Sequence, residues 1–383
     1  MRAGRVWTKM YMQWSNMGQY NWPKENEKQQ LKRIANRCGV LLIALLGFMY
    51  LISFAFGFLN ASNFLPESVR QLQEDATLWE AIQSLTLNLL FYVVAVPLLL
   101  WYANRQSNTQ VSEYLRFPDI SGKEFWKWVL MGIGVVYAAS VTGNIFYSAI
   151  NYLLNLVGFP MQSPDVSVAP DIVSIMVFTL GVTILAPFFE ELLVRCGLVG
   201  TLRSYGFRFA AIATGVLFGF MHTSFEQVFF AAMMGIYAGF VAAKFRSVWP
   251  TIVLHMIING ISNGQAILLS FLEIDLDAVS KELAAGDFST IRSFSPEELL
   301  TQFGLLTGIM LLSGLLMVLG IVGLVKLVKE TSQHPAAFRD QLTDSLLTLK
   351  EKCITFFTAP GVVVFLVMSV GLSLLNAYSY LLY

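Results

Sequence analysis

Polar side chains that could transfer protons lie inside apolar stretches of this sequence. The set, spread over three successive stretches, comprises Glu190, Glu191 and Arg195, then His222, and finally His255 and Asn259. An ionised side chain at the centre of a membrane-spanning helix costs about 2.5–3.5 kcal/mol on insertion scales. Because of that cost, carboxylates and imidazoles in such stretches indicate a functional site inside the membrane.

The composition is that of a membrane protein. Hydrophobic residues make up 56% and charged residues 13% of the 383 residues, whereas soluble domains carry about 25% charged residues. The formal net charge of +0 gives no reason to expect nucleic-acid binding. Cys38, Cys196 and Cys353 show neither a disulfide framework nor metal-ligand spacing. We interpret them as packing residues, with lipidation of Cys38 or Cys353 as a weaker alternative, and expect a multi-pass protein of a bacterial-type cell membrane.

Apolar runs of about 20 residues predict an all-α bundle of about nine transmembrane helices. The expected spans are Cys38–Leu59, Ser84–Trp101, Trp126–Leu156, Ile172–Val194, Phe209–His222, Val228–Ala243, Pro250–Leu272, Phe303–Val328 and Pro360–Leu381. The basic N-terminal segment, residues 1–37, predicts a cytoplasmic N-terminus by the positive-inside rule. Basic residues recur in every second loop, and this alternation predicts an external C-terminus.

The spans surround one core. N-terminal helices are expected in residues 38–171, the core with all the unusual polar residues in 172–272, an acidic outer loop in 273–302 and C-terminal helices in 303–383. The flanking helices are interpreted as packing elements. The segment Thr331–Lys352 predicts a cytoplasmic amphipathic helix, because its apolar residues share one face: Phe338, Leu342, Leu346 and Leu349.

Helical spacing gives the two adjacent glutamates different roles. Glu191 and Arg195 are four residues apart on one helix face, so we expect them to form an ion pair. Glu190 points about 100° away from Glu191 and is left as the carboxylate available for chemistry. The alternative is that the three residues only cap this helix where it meets the cytoplasm.

The histidines occur with the same four-residue spacing. Phe218 and His222 share a face, so the aromatic ring can pack beside the imidazole. His255 and Asn259 share a face of a helix that Trp249-Pro250 begins. A single histidine in a spanning helix is often only an interhelical contact. A carboxylate, two imidazoles and an amide on three helices are much harder to explain as packing alone.

Three short motifs on successive apolar helices resemble those of the CAAX protease and bacteriocin-processing family of intramembrane proteases, also called type II CAAX prenyl endopeptidases or the Abi family. They are Glu190-Glu191-x-x-x-Arg195, Phe218-x-x-x-His222 and His255-x-x-x-Asn259. The resemblance covers roughly Ile172–Leu272. It implies an endopeptidase that acts on membrane-associated or lipidated proteins or peptides within the bilayer.

The family resemblance also implies roles for these residues. Glu190 and His222 would activate the hydrolytic water, and His255 and Asn259 would hold the scissile carbonyl and its developing oxyanion. The supporting residues would be Glu191, Arg195 and Phe218. The remaining hypotheses are a non-catalytic membrane partner or immunity-type protein of the same fold, and a proton- or metal-coupled transporter.

A metal site is an alternative reading of the same residues. Glu190, His222 and His255 would make a zinc set with an open position for water. Because the sequence has no His-Glu-x-x-His helix, we favour a glutamate-dependent mechanism without a cofactor. The Gly260–Gly264 segment matches the Gly-x-Ser-x-Gly pattern of serine hydrolases but lacks its strand-turn-helix context.

Two further expectations concern the packing of the core. Gly235 and Gly239 form a Gly-x-x-x-Gly pair that predicts close helix packing. Counted from the predicted helix starts, His222 lies about 20 Å deep and His255 only about 8 Å deep. Either the helix with His222 begins outside the hydrocarbon, or the helix with His255 begins at Trp249-Pro250 inside a protein-lined cavity. Tilt of both helices would also reduce the difference in depth. We predict that Glu190, His222, His255 and Asn259 converge in the half of the membrane nearer the cytoplasm.

Overall fold

The computed structural model describes residues 22–61, 66–107, 111–162, 168–272, 289–338 and 345–379, with single positions between 273 and 288. The regular secondary structure of these residues is entirely helical. Residues 1–21 of the basic segment, most of the acidic outer loop up to 288, Leu342 of the predicted surface helix and Leu381 of the last span lie outside the described residues.

Nine apolar helices build the described part of the chain. They are α1 (Trp22–Ala61), α2 (Ala76–Tyr102), α3 (Gly122–Leu156), α4 (Ile172–Tyr205), α5 (Phe207–Met221), α6 (Phe225–Phe245), α7 (Trp249–Ser270), α8 (Pro296–Gln333) and α9 (Pro360–Ala377). Eight are long and apolar enough to cross a membrane, and α5 is a shorter apolar helix of 15 residues. The predicted all-α, multi-pass membrane architecture is confirmed.

Shorter helices connect these elements. They are Glu67–Gln73, Val111–Tyr114, Ser289–Ser293 and Leu349–Phe357. Polar caps set several of the helix starts. The N–H groups of Val173 and Ser174 donate to Asp171 Oδ1, each at 3.0 Å, which begins α4. Such a cap satisfies backbone donors that have no partner inside the helix.

The start of α8 differs from the prediction. Ser295 and Glu298 form a capping box, so the helix begins at Pro296 rather than Phe303. The last seven residues of the predicted outer loop, 296–302, are therefore helical. A capping box outweighs local polarity here because it pairs two backbone N–H groups at the helix start.

The prediction of one continuous surface helix over Thr331–Lys352 is wrong for the residues that the structure describes. Helix α8 continues to Gln333, and a 3₁₀ turn follows at Pro335–Phe338. Residues 345–348 are not helical, and a new capping box at Thr348 begins the helix Leu349–Phe357. Proline disfavours helical geometry at the residue before it, which explains the break at Pro335.

Phe338 packs against the bundle instead of presenting an apolar face to the membrane surface. Its ring lies 5.4 Å from Trp128 and 5.8 Å from Phe240, centroid to centroid. Its carbonyl accepts from the Arg208 guanidinium, and the neighbouring Ala337 carbonyl accepts from Lys244 Nζ at 2.7 Å. The 3₁₀ turn therefore fastens the segment after α8 to the ends of α5 and α6.

Helices α5 and α6 form a tight hairpin through glycines. A Cβ on Gly235 would lie 2.8 Å from the Gly215 Cα, and a Cβ on Gly239 would lie 3.0 Å from the Ala211 Cα. The two glycines of the predicted Gly-x-x-x-Gly pair thus pack within the chain against α5. This packing positions the C-terminal end of α5, where His222 lies.

The hairpin turn is held by α9. Thr223 has a positive φ of 46°, a backbone conformation that residues other than glycine rarely adopt. Asn376 Nδ2 of α9 donates to the Thr223 carbonyl at 2.9 Å. The interpretation of α9 as a packing element alone is therefore incomplete, because it contacts the residue that follows His222.

We expect Gly235→Leu to destabilise the fold. The new side chain would overlap the α5 backbone, and overpacking a close interface costs about 1–3 kcal/mol or more. Thermal unfolding of the purified protein in detergent measures the loss. Gly314→Leu is the matched control, because nothing lies within 4 Å of a Cβ at Gly314 of α8. Equal unfolding temperatures for the two variants would contradict this account of the hairpin.

Candidate active site

A fully buried charge cluster joins α4 to α7. The Glu191 carboxylate accepts from Arg195 Nε at 2.8 Å and from Arg195 Nη2 at 3.1 Å. His255 Nδ1 lies 3.3 Å from Glu191 Oε1. The exposed fractions are 0% for Glu191, 0% for Arg195 and 4% for His255. The ion pair predicted from the spacing is present, and the contact with His255 was not foreseen.

Phe218 lies at the centre of this cluster. The Arg195 guanidinium lies 5.1 Å from the Phe218 ring centroid. The ring also makes edge contacts with His222 at 4.9 Å and with His255 at 5.9 Å, centroid to centroid. A cation over an aromatic face is stabilised by about 2 kcal/mol when both groups are desolvated. Phe218 therefore connects α4, α5 and α7 and holds both imidazoles within 6 Å of one ring.

The hydrogen bonds of the two histidines define their tautomers. His222 Nδ1 lies 2.9 Å from the Phe218 carbonyl, which can only accept, so Nδ1 carries the proton. His255 Nδ1 faces the Glu191 carboxylate in the same way. With Nδ1 committed in this way, Nε2 is the ring nitrogen of each histidine that is left to accept or donate a proton. Neither Nε2 has a hydrogen-bond partner among the described residues.

Glu190 points away from the buried cluster, toward α2. It is half-buried, and its Oε1 accepts from the Tyr92 hydroxyl at 3.1 Å. Tyr92 also stacks on Phe189 with ring centroids 6.3 Å apart. Within the described residues, the carboxylate of Glu190 has no hydrogen bond to His222. The convergence of these two residues stays a prediction, and Tyr92 is a contact that the motifs did not reveal.

The amides of α7 bind α4. Asn259 Nδ2 donates to the Val182 carbonyl at 2.9 Å. One turn further on, Asn263 Nδ2 lies 3.0 Å from the hydroxyls of Thr179 and Thr183. The second N–H of the Asn259 amide remains available for a substrate. The two asparagines thus fix α7 against α4 on the same side as the charge cluster.

Three π-helical stretches supply atoms to these contacts. Leu89–Ala95 contains Tyr92, Leu180–Leu185 contains the carbonyl of Val182, and Leu192–Val199 contains Arg195. A π-helical turn inserts an extra residue and reorients the side chains that follow it. Such turns are frequent at functional sites in helical proteins. Their coincidence with the contacts of Glu190, Asn259 and Glu191 identifies this region as the candidate active site.

The start of α7 explains how His255 can share a site with His222. Val248 and Thr251 are buried, and the Val248 N–H donates to the Tyr114 carbonyl at 3.0 Å. The first turn of α7 is therefore covered by protein rather than by water or lipid. This arrangement fits the explanation of the depth difference in which α7 begins inside a protein-lined region. The position of the site relative to the bilayer midplane stays a prediction.

The residues proposed as zinc ligands do not assemble into a metal site. Among the side chains that the structure describes, no three histidine, cysteine, aspartate or glutamate residues lie close enough together to hold a metal ion. Glu190 is directed to Tyr92, and His255 is directed to Glu191.

Comparison with known proteins supports the motif assignment. Residues 172–261 match the family described as type II CAAX prenyl endopeptidase Rce1-like. A Bacillus subtilis (strain 168) protein named "Putative membrane peptidase YdiL" is 24% identical over 135 residues, which cover 34% of this chain. The matched part spans about half, 52%, of that relative. No solved structure gives a significant match. The resemblance inferred from the three motifs is confirmed.

The adjacent glutamates should differ sharply in their effect on stability. Glu191→Ala leaves Arg195 buried without its carboxylate, and breaking a buried ion pair costs about 3–5 kcal/mol. Glu190→Gln keeps the volume and the contact with Tyr92, so we expect a change below about 1 kcal/mol. Chemical unfolding of both variants in mixed micelles measures these values. A Glu190→Gln protein as unstable as Glu191→Ala would contradict the separation of the two roles.

Proposed function

We propose that the chain is an intramembrane endopeptidase, on the premise that residues 172–261 form a domain of the Rce1-like family of type II CAAX prenyl endopeptidases. Its substrates would be membrane-associated or lipidated proteins, whose peptide bonds it hydrolyses within the bilayer. The broader assignment of a membrane peptidase is supported by both the family match and the bacterial relative.

One observation carries this proposal more than any other. His222 and His255 each hold Nδ1 in a hydrogen bond and leave Nε2 without a protein partner, next to apolar helices. A histidine that only joins two helices would be expected to use its ring nitrogens in that contact. Imidazoles oriented by one nitrogen and open at the other are instead suited to proton transfer.

Water activation is assigned to Glu190 and His222. Glu190 is the carboxylate that Arg195 does not neutralise, because Arg195 is bound to Glu191. A water between Glu190 and His222 would lose its proton to one of them as its oxygen attacks the scissile carbonyl. That proton would then pass to the leaving amine, so the peptide bond breaks with one water consumed.

Oxyanion stabilisation is assigned to Asn259 and His255. Asn259 has one amide N–H in a hydrogen bond to α4 and a second that can donate to the oxyanion. His255 can donate from Nε2 when the ring carries both protons, and its Nδ1 is held 3.3 Å from the Glu191 carboxylate. Donors held in a water-poor site stabilise developing charge more strongly than the same donors in water.

Cleavage of a panel of lipidated and membrane-anchored peptides by the purified protein tests the proposal. We expect Glu190→Gln and His222→Ala to lower kcat by about 100-fold or more, because general acid-base groups contribute about 10²–10⁴-fold. Glu226→Gln, in the first turn of α6, is the control glutamate outside the site. Wild-type rates for Glu190→Gln would refute the mechanism.

The same assay separates the remaining hypotheses. Activity that survives a strong chelator supports hydrolysis by side chains alone, and loss that added zinc restores would assign a metal. If no peptide is cut and His222→Ala abolishes movement of a solute across proteoliposomes, the transporter hypothesis replaces the peptidase.

The Tyr92 hydroxyl is expected to position Glu190. Tyr92→Phe removes the 3.1 Å hydrogen bond but keeps the ring that stacks on Phe189. We expect kcat to fall about 10-fold, consistent with the loss of a hydrogen bond to a charged group, while KM changes little. Tyr102→Phe, in the same helix, is the control. A kcat equal to that of the wild type would show that Tyr92 does not position the carboxylate.

A further inference from the structure

A cavity of about 470 Å³ lies between α1 and α2 and ends at Tyr92. Met49 and Ser53 line it from α1, and the remaining lining residues come mostly from α2. Its volume falls within the range of about 300–1,000 Å³ that is typical of ligand-binding sites. Because the Tyr92 hydroxyl donates to Glu190, this α1–α2 cavity reaches the edge of the candidate active site.

The α2 wall of the cavity carries a polar side chain at every fourth position. The residues are Glu80, Ser84, Asn88 and Tyr92. Four residues advance an α-helix by about 6 Å, so the three intervals extend over about 18 Å of α2. All four side chains line the cavity, although Tyr92 lies in the π-helical stretch Leu89–Ala95. A helix face in contact with lipid or an apolar partner would not carry such a row. We call this set the polar row of α2.

A buried polar atom in the cavity has no partner within the described structure. Gln83 Nε2 is inaccessible to solvent, and no hydrogen-bond acceptor lies within reach of it. An unsatisfied buried donor costs about 1–3 kcal/mol. Asn88, five residues further on, donates Nδ2 to the Ser84 carbonyl at 2.8 Å, which leaves its Oδ1 able to accept. Turning the Gln83 amide toward the cavity that it lines would pair this donor with a bound carbonyl, and Asn88 Oδ1 offers an acceptor.

These spacings match an extended polypeptide. Two residues of an extended chain advance by about 6.6 Å, close to the interval of about 6 Å between members of the polar row. A lipid tail would leave Gln83 Nε2 and Asn88 Oδ1 without partners, whereas the C=O and N–H groups of a peptide can satisfy both. Glu80, at the far end of the row from Tyr92, is exposed. It can attract a basic side chain.

We propose that the α1–α2 cavity binds an extended segment of the substrate polypeptide next to the scissile bond. This inference rests on the proposed peptidase function and adds a specificity to it. At about 3.3 Å per residue, a row of about 18 Å spans five or six residues. A basic residue about five positions from the scissile bond would therefore lie against Glu80. The segment enters from the side of the membrane on which α2 begins.

Cysteine labelling tests whether the cavity is open. Ser84→Cys places a thiol in the cavity, and Thr86→Cys, two residues away, is the matched control because Thr86 does not line it. Both are made in a Cys353→Ala background, since Cys38 and Cys196 are buried. A membrane-impermeant maleimide added from the side where α2 begins should label Ser84→Cys about 10-fold faster or more. Equal rates would overturn the proposal.

Cleavage by the labelled proteins tests what the cavity binds. The adduct at Ser84→Cys should slow cleavage about 10-fold or more because it fills the cavity, and the adduct at Thr86→Cys should not. Gln83→Leu should raise KM roughly 2- to 10-fold, the effect of one lost hydrogen bond. Rapid labelling with unchanged cleavage would overturn the peptide role.

The cleavage rates of matched peptides test the specificity of the cavity. A peptide with lysine five positions from the scissile bond should be cut faster than its glutamate analogue, and Glu80→Gln should reduce that preference. An unchanged preference in Glu80→Gln would overturn the assignment of Glu80. If the unlabelled wild-type protein cuts no peptide, the proposed function itself fails, and that failure is distinct from the labelling result.

Discussion

The buried ion pair between Glu191 and Arg195 is the constraint on which the rest of the candidate site depends. Both side chains are fully buried, and a charge removed from water without a partner costs several kcal/mol. The bidentate contact satisfies this requirement within α4 itself. His255 can approach Glu191 because that carboxylate must remain ionised to balance Arg195. The charge pair of α4 thus provides one of the contacts that hold α7, beside those of Asn259 and Asn263.

The same pair separates structural and chemical roles between adjacent residues. Consecutive helical side chains diverge by about 100°, so one arginine cannot serve both glutamates. Glu191 is committed to Arg195 and His255, while Glu190 is half-buried and directed to Tyr92. Phe218 extends the arrangement to α5, because it contacts Arg195 and both imidazoles. A single aromatic ring therefore links α4, α5 and α7 beside the buried ion pair.

The sequence alone predicted those features that depend on local spacing. The nine apolar helices, the Glu191–Arg195 pair and the packing of Phe218 beside His222 all follow from residue type and four-residue intervals. The contacts of Asn259 with Val182 and of Glu190 with Tyr92 could not be predicted in the same way. Each involves a π-helical stretch, and one extra residue per turn changes the helix face on which later side chains lie. Capping boxes at Ser295 and Thr348 likewise overrode the polarity pattern that suggested a loop and one continuous surface helix.

Helices outside the matched family segment also contact the reactive residues. The family match covers residues 172–261. Tyr92 of α2 nevertheless donates to Glu190, and Asn376 of α9 donates to the carbonyl of Thr223, the residue after His222. The proposed water activation by Glu190 and His222 needs only groups inside the matched segment, so that chemistry can be shared with distant relatives. The groups that orient those residues, and the polar row of α2, belong to this chain's flanking helices. Differences in substrate choice among related peptidases are therefore expected to arise from the flanking helices rather than from the three motifs.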